Sequence, residues 1–391
     1  MNERILHKDV QDFIRENLRS DTTKLILKGS PFSDVSIQEL ATQIVSKQKC
    51  EKKLPIWFQT ENIYYPPKLN IEQTSSEITA NYKSHLISGS SIVDITGGLG
   101  VDCLSFSKQF QQVTHCEINE ELSQIASHNF QELKVDNITT IHGSGLQHLQ
   151  KNSDTFDCIY IDPSRRNDVK GKVFLLEDCE PNVPQHIDFL FQKSETILIK
   201  TSPILDISSV LNELNFVKEI HIVAIQNEVK ELLFLLKKSY DGGISLKTIN
   251  FLKDHQQEFE FVYPSDKSSK YKLPQKFLYE PNSAVLKSGG FHEISHQLNV
   301  QKLHQHSHLY TSNELIDFPG RVFEILEVLP FDKKKMKKRL QNQKANITTR
   351  NFPRTVQQIR KELKIKDGGN DYIFFTTNLE NQLISIFCRK V

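Results

Sequence analysis

The sequence has no cysteine pair at C-x-x-C spacing; its six cysteines (Cys50, Cys103, Cys116, Cys158, Cys179 and Cys388) are scattered over 391 residues. Several fall inside apolar runs, which predicts reduced, buried thiols rather than a disulfide framework or a thiolate metal site. His304-x-His306-x-His308 has no acidic or cysteine pattern beside it, so no metal is expected there. No apolar run approaches the roughly 20 residues that a membrane-spanning helix needs. Met1-Asn2-Glu3-Arg4 opens a polar amphipathic segment without a signal-peptide core. A cytoplasmic protein with no membrane partner is the expectation.

A chain of 38% hydrophobic and 25% charged residues is of ordinary globular type, and its length predicts two or three domains. The net charge of +1 conceals an asymmetry: residues 331–391 hold 15 Lys and Arg against 5 Asp and Glu. That end is a candidate for phosphate contact, and Lys333 to Arg339 reads equally as such a contact or as a solvated helix face.

One stretch organises the rest. Ser91-Ile-Val-Asp-Ile reads as a buried strand, and Thr96-Gly97-Gly98-Leu99-Gly100 as a loop turning straight into a helix from Val101. Glycines at such a turn permit unusual backbone angles and let a ligand approach the amides of Gly98 to Gly100. About twenty residues on, the strand Gln112–Ile118 brings Glu117 to its end, where a carboxylate can accept both hydroxyls of a ribose. The fourth strand in the sequence, Phe156 to Ile161, delivers Asp162-Pro163-Ser164-Arg165-Arg166 at its tip. Ligands of open α/β sheets bind outside the carboxyl ends of the strands, so these three tips form one crevice.

Residues 1–88 read as helical, with Ser36-x-x-Glu39 and Thr74-x-x-Glu77 as capping boxes; Glu72, Gln73 and Thr79 are candidates to overhang the crevice, although a helix packed on the sheet edge is the favoured reading of that stretch. Strands alternate with helices from 89 to about 240, predicting a parallel sheet. The runs 219–225 and 228–236 are joined only by Gln226-Asn227 and must therefore pair antiparallel.

These residues resemble a family. The Asp94-x-Thr96-Gly97-Gly98-Leu99-Gly100 loop, Glu117, the Asp162-Pro163-x-Arg165 tip and the terminal hairpin resemble class I S-adenosylmethionine-dependent methyltransferases. Glu72-Gln73, Thr79-Ala80, Glu177-Asp-Cys-Glu-Pro-Asn-Val183, Arg350-Asn-Phe-Pro353 and Asp367-Gly-Gly369 resemble the bacterial group with a C-terminal THUMP-like domain. The resemblance implies an α/β fold with a Rossmann-like seven-stranded sheet, a helical N-terminal domain (1–88), a catalytic domain (89–269) and two small α+β modules. Those modules are a ferredoxin-like one (270–318) and a THUMP-like one (319–391). It also implies S-adenosylmethionine as cofactor and an RNA partner, tRNA or rRNA.

On that reading Asp94, Thr96, Gly97, Gly98 and Gly100 hold the amino-acid end of the cofactor and Glu117 its ribose. Ile118 packs on the adenine, and Ser144 stands where similar enzymes place a carboxylate. Asp162 and the Pro163 carbonyl orient the methyl acceptor, while Arg165, Arg166, Arg350 and Arg354 contact RNA. The aromatic residue that follows this tip in amino-methylating relatives is replaced by arginine. No cysteine follows the fifth strand, which ends Lys200-Thr-Ser-Pro203, and this disfavours a covalent carbon-methylating route. A methyltransferase for a small molecule or protein, a dinucleotide-dependent oxidoreductase, and a nonenzymatic RNA-binding protein with a relic pocket are the other readings. The oxidoreductase is disfavoured because Cys103 stands where its fingerprint needs a third glycine.

Overall fold

The structure is a computed structural model describing residues 1–165 and 175–391. It divides into two units, Met1–Val217 with Phe234–Asp241, and Lys218–Leu233 with Gly242–Val391.

The first unit is built on β1 (Ser91–Asp94), β2 (Gln112–Glu117), β3 (Ile138–His142), β4 (Cys158–Ile161) and β5 (Thr196–Thr201). All their pairings are parallel, in the order β5-β4-β1-β2-β3. Every residue of β4 is 0–1% exposed, which explains its unbroken apolar run: a parallel strand covered on both faces has no solvent side to mark with polar residues. The carboxyl ends of β1, β2 and β4 lie side by side, because Asp94 is in register with both His115 and Tyr160.

Strands β6 (Val217–Ile225) and β7 (Glu228–Lys237) follow, joined by Gln226 and Asn227 at φ of 50° and 65°. Two consecutive positive-φ residues make the primed turn that suits strand twist, so the expected hairpin forms. β7 lies between β5 and β6, giving the first seven strands the order β3-β2-β1-β4-β5-β7-β6. Beyond the seven expected strands, β8 (Ile244–Phe251) adds parallel to β6, and β9 (Gln256–Tyr263) antiparallel to β8.

The N-terminal helices confirm one capping expectation and correct another. Ser36 and Glu39 form a full capping box for the helix Ile37–Lys53. At the second site the cap is Ser76 rather than Thr74, and the helix runs Glu77–Ser84. Glu77 does not reach back to close a box; its carboxylate accepts the Ile56 amide at 2.7 Å instead.

The second unit also holds a seven-stranded sheet. Its members are β10 (Phe277–Pro281), β11 (Gln301–Lys302), β12 (Tyr310–Ser312), β13 (Gly320–Pro330), β14 (Asn346–Arg350), β15 (Tyr372–Thr377) and β16 (Leu383–Lys390). The order is β11-β12-β10-β13-β16-β15-β14, antiparallel except for the β14–β15 pair. Strand alternation splits β15 between two cores. Phe374 packs with Leu278, Phe323 and Ile386. Ile373 and Phe375 pack with Met336, Leu340, Ile359 and Leu363 from the helices Lys333–Leu340 and Val356–Leu363.

Candidate active site

The loop after β1 is fixed from below by Asp94. Its Oδ1 accepts the Thr96 amide at 2.9 Å and the Thr96 hydroxyl at 3.1 Å, and its Oδ2 faces the Cys103 thiol at 3.4 Å. Asp94 is 1% exposed, and burial pushes its carboxyl up to about 7. Two of the glycines are required by packing: a Cβ on Gly97 would lie 2.3 Å from the His115 ring, and one on Gly100 2.3 Å from Phe130. Gly98 is different. Its φ is +56°, and the nearest atom to a Cβ placed there is the Thr96 carbonyl oxygen at 3.9 Å, so its bare backbone borders open space.

Glu117 closes onto that loop. Its Oε2 accepts the Gly98 amide at 2.8 Å and its Oε1 the Asn119 amide at 2.7 Å. The expectation that the Gly98 and Gly100 amides face a ligand is therefore modified, since the Gly100 amide donates to the Gly97 carbonyl at 2.9 Å. Each Glu117 oxygen keeps a second lone pair for a hydroxyl donor. Next to it, Ile118 is 73% exposed, an apolar side chain left uncovered at a strand tip. Ser144 caps the helix Gly145–Lys151, just beyond the end of β3.

The β4 tip is tied to the same loop. The Asp162 amide donates to Thr96 Oγ1 at 2.7 Å, and the Asp162 carboxylate forms an ion pair with Lys200 Nζ at the end of β5. Pro163 is half-buried. Ser164–Arg165 pairs antiparallel with Cys179–Glu180, so the Glu177–Val183 segment braces the tip, and Arg165 is exposed. Arg166 lies outside the described residues.

Behind Asp162 is a buried polar network that sequence reasoning missed. Asp102 Oδ2 accepts the Tyr160 hydroxyl at 2.8 Å and the Ser75 hydroxyl at 2.9 Å, and Oδ1 is 3.2 Å from Lys83 Nζ. Lys83 and Lys200 donate to Ser75 Oγ at 3.1 and 3.2 Å. Charged residues interrupting buried apolar elements were the available signal: Asp102 sits in the fully buried helix Val101–Phe106, and Lys200 ends the run Ile197-Leu198-Ile199. Of the residues placed near the crevice, Glu72 pairs with Lys49 and Lys68, and Thr79 is buried.

In the second unit, Arg350 donates through Nε and Nη2 to Glu280 Oε1 at 3.1 and 2.9 Å, and Arg321 holds the other oxygen of that buried carboxylate. Arg354 pairs with Glu362 at 3.3 Å and covers the Phe331 ring. On the helix Lys333–Leu340, Lys333 and Arg339 have acidic partners, Glu362 and Glu327. Among the described residues, Lys334, Lys335, Lys337 and Lys338 form no ion pair. Of the three histidines, His304 is bonded to Asn351 and Asn381 and accepts the His306 amide at 3.1 Å, while His308 stacks on Phe291 at 3.6 Å.

Residues 89–176 match a family described as RNA cap guanine-N2 methyltransferase, residues 277–319 a ferredoxin-like domain, and residues 320–390 a THUMP domain-like family. A curated protein of Mycoplasma mobile, named an uncharacterized RNA methyltransferase, is 29% identical over 90 residues, 23% of this chain; the match spans only 25% of that protein's length. The solved "putative methyltransferase" of Porphyromonas gingivalis W83 is 31% identical, with 100% of this chain and 98% of that chain covered and a TM-score of 0.89. Likeness of sequence and fold along the whole length shows that the chain belongs to the family of that protein, the class I S-adenosylmethionine-dependent methyltransferases with a C-terminal THUMP-like domain.

Proposed function

We propose that this methyltransferase methylates a nucleotide base in a structured RNA, tRNA or rRNA. The observation that carries the reading is the hydrogen bond from the Asp162 amide to Thr96, which joins an acidic tip to the glycine loop beside Glu117 and Ile118.

The residues fit the cofactor. The open space over Gly98 admits a close approach to backbone, Glu117 retains acceptor capacity for a ribose, and exposed Ile118 offers an apolar cover for a purine. Ser144 is assigned to the adenine edge. When bound, S-adenosylmethionine supplies an electrophilic methyl group on a sulfonium. The chain's own contribution is alignment, because an in-line displacement gains most from holding the reacting atoms in place. Asp162 and the Pro163 carbonyl accept hydrogen bonds from the target amine and orient its lone pair, and Asp162 takes the proton that the amine must lose.

For the RNA itself, the four lysines without ion pairs on the helix Lys333–Leu340 are the favoured phosphate contacts, with Arg165 and Arg166 assigned to the phosphate near the reacting base. Arg350 and Arg354 contribute to that surface only through the charge their carboxylate partners leave uncompensated.

Mapping modified nucleotides in total RNA from a strain lacking the gene tests the reading. One methylated nucleotide should disappear, return with the parent gene and stay absent with Asp162→Ala. An unchanged RNA modification profile would transfer the activity to a small molecule or protein.

A further inference from the structure

Among the described residues, four charges meet beneath the carboxyl ends of β4 and β5, and the transfer step proposed above uses only one of them. Lys83 is 0% exposed and lies 3.2 Å from Asp102, itself 8% exposed. Lys200 stands 4.0 Å from Asp102 but pairs directly with Asp162 Oδ2. The hydroxyl of Ser75 joins the two lysines to Asp102. Among the described residues the set counts two against two, with Asp102 beside Lys83 and Asp162 paired with Lys200. Such pairing is the condition for keeping charges in a buried site. The lysine side chain of the outer pair is 11% exposed and the carboxylate 34%, so Asp162 faces the crevice while Lys200 sits behind it.

We infer that Lys200 is a positioning residue that holds Asp162 by one carboxylate oxygen and masks its charge, leaving the other oxygen to receive the methyl acceptor. The inference rests on the cofactor and tip assignments of the proposed function. The cofactor carries a positive sulfonium and its demethylated product a neutral thioether. An unmasked carboxylate at the tip would favour the cation-bearing ligand in the ground state, and binding gained there does not lower the barrier to transfer. With Lys200 in place the carboxylate is fixed in orientation and its attraction for the sulfonium is offset.

Masking has a signature separate from activity: the ratio of affinities for S-adenosylmethionine and S-adenosylhomocysteine, each measured by isothermal titration on the full chain. Lys200→Met uncovers Asp162 and should raise the preference for the cation by roughly three-fold or more at low salt. Asp162→Asn uncovers Lys200 and should shift the ratio the opposite way by a similar factor. The double variant should return close to the parent ratio, and Lys200→Arg should keep it. A second arm uses single-turnover methylation of total RNA from a strain lacking the gene. Lys200→Met should slow transfer by about ten-fold or more, with Lys200→Arg restoring most of the rate.

Should Lys200→Met fail to fold, the opposite shift in Asp162→Asn still decides. Ratios that do not move, or single variants that shift in the same direction, would overturn the masking role while leaving the cofactor site intact. A parent protein that binds neither ligand would overturn the cofactor assignment itself, and this inference with it.

Discussion

The amide of Asp162 donates to the hydroxyl of Thr96 over 2.7 Å, and that hydroxyl in turn donates a hydrogen bond to Asp94 at 3.1 Å. One side chain thus couples the glycine loop to the acidic strand tip, through a donor and an acceptor role that its hydroxyl combines in one atom. Thr96→Val keeps the shape and removes both bonds. Stability should fall by about 1–3 kcal/mol, as for a partly buried amide left without its acceptor, and turnover should fall with it. Thr96→Ser should recover most of both losses. Urea denaturation alongside a methylation assay checks this, and a valine variant as active as the parent would uncouple the tip from the loop.

Asp162 should matter to turnover far more than to cofactor binding. Positioning and proton transfer each contribute two or more orders of magnitude, so Asp162→Ala should lose about 100-fold or more in rate. Cofactor affinity should change by no more than a few-fold. Asp162→Asn separates the two contributions: if accepting a hydrogen bond from the amine is enough, the amide oxygen preserves appreciable activity, whereas a proton taken in the slow step makes Asn nearly as poor as Ala. Single-turnover rates that match the parent in Asp162→Ala would remove this tip from the catalytic site.

A pH dependence follows from Asp94. Its carboxyl is raised from 3.8 to about 7 by burial, so the unfolded chain gives up this proton before the folded one does. The stability that Asp94 contributes is fully present below about pH 4 and is lost as pH rises toward 7, after which the loss is complete. A shift of this size corresponds to about 4 kcal/mol as an order of magnitude. Asp94→Asn cannot ionise, so the stability difference between parent and variant should grow against the parent between pH 5 and 7 and level off above pH 8. Denaturation midpoints of both proteins across that range provide the check, and parallel curves would show that Asp94 does not titrate there.

Much of this architecture was legible because the signals are local. The β-branched run before Thr96, the glycine loop and the two-residue link Gln226-Asn227 each state a backbone conformation within a few residues. What could not be read depends on residues far apart in sequence. Lys200 meets Asp162 because β4 and β5 pair in parallel through Ile161 and Ile199, and register of that kind is set by packing rather than by either strand's sequence. Ser75, just ahead of the helix Glu77–Ser84, and Lys83 on that helix meet Asp102 from the later helix Val101–Phe106, a contact that neither stretch states locally. The cap falls at Ser76 rather than Thr74 for a related reason: the Glu77 carboxylate, the partner a Thr74 capping box needs, accepts the distant Ile56 amide instead. Arg350 reads as a free basic residue in a basic tail, yet its partner Glu280 lies 70 residues earlier.

That distinction between paired and unpaired basic residues gives the last prediction. If the helix Lys333–Leu340 contacts RNA phosphates, affinity should fall steeply with salt, by nearly one unit of logarithmic slope per contact. Lys334 and Lys338 are exposed and, among the described residues, have no acidic partner, so Lys334→Glu with Lys338→Glu should weaken RNA binding and flatten the slope by about two units. Folding should be unaffected, because the helix is anchored by Met336 and Leu340. Arg350→Ala should behave in reverse. It leaves the buried Glu280 with Arg321 alone, and since both arginines are more than a third exposed the cost is moderated by solvent to about 1–2 kcal/mol of stability. Its salt slope should stay close to that of the parent. Filter-binding titrations at several salt concentrations, paired with thermal melts of the same full-length variants, separate the two effects. A double-glutamate variant with the parent's salt slope would exclude this helix from the RNA contact.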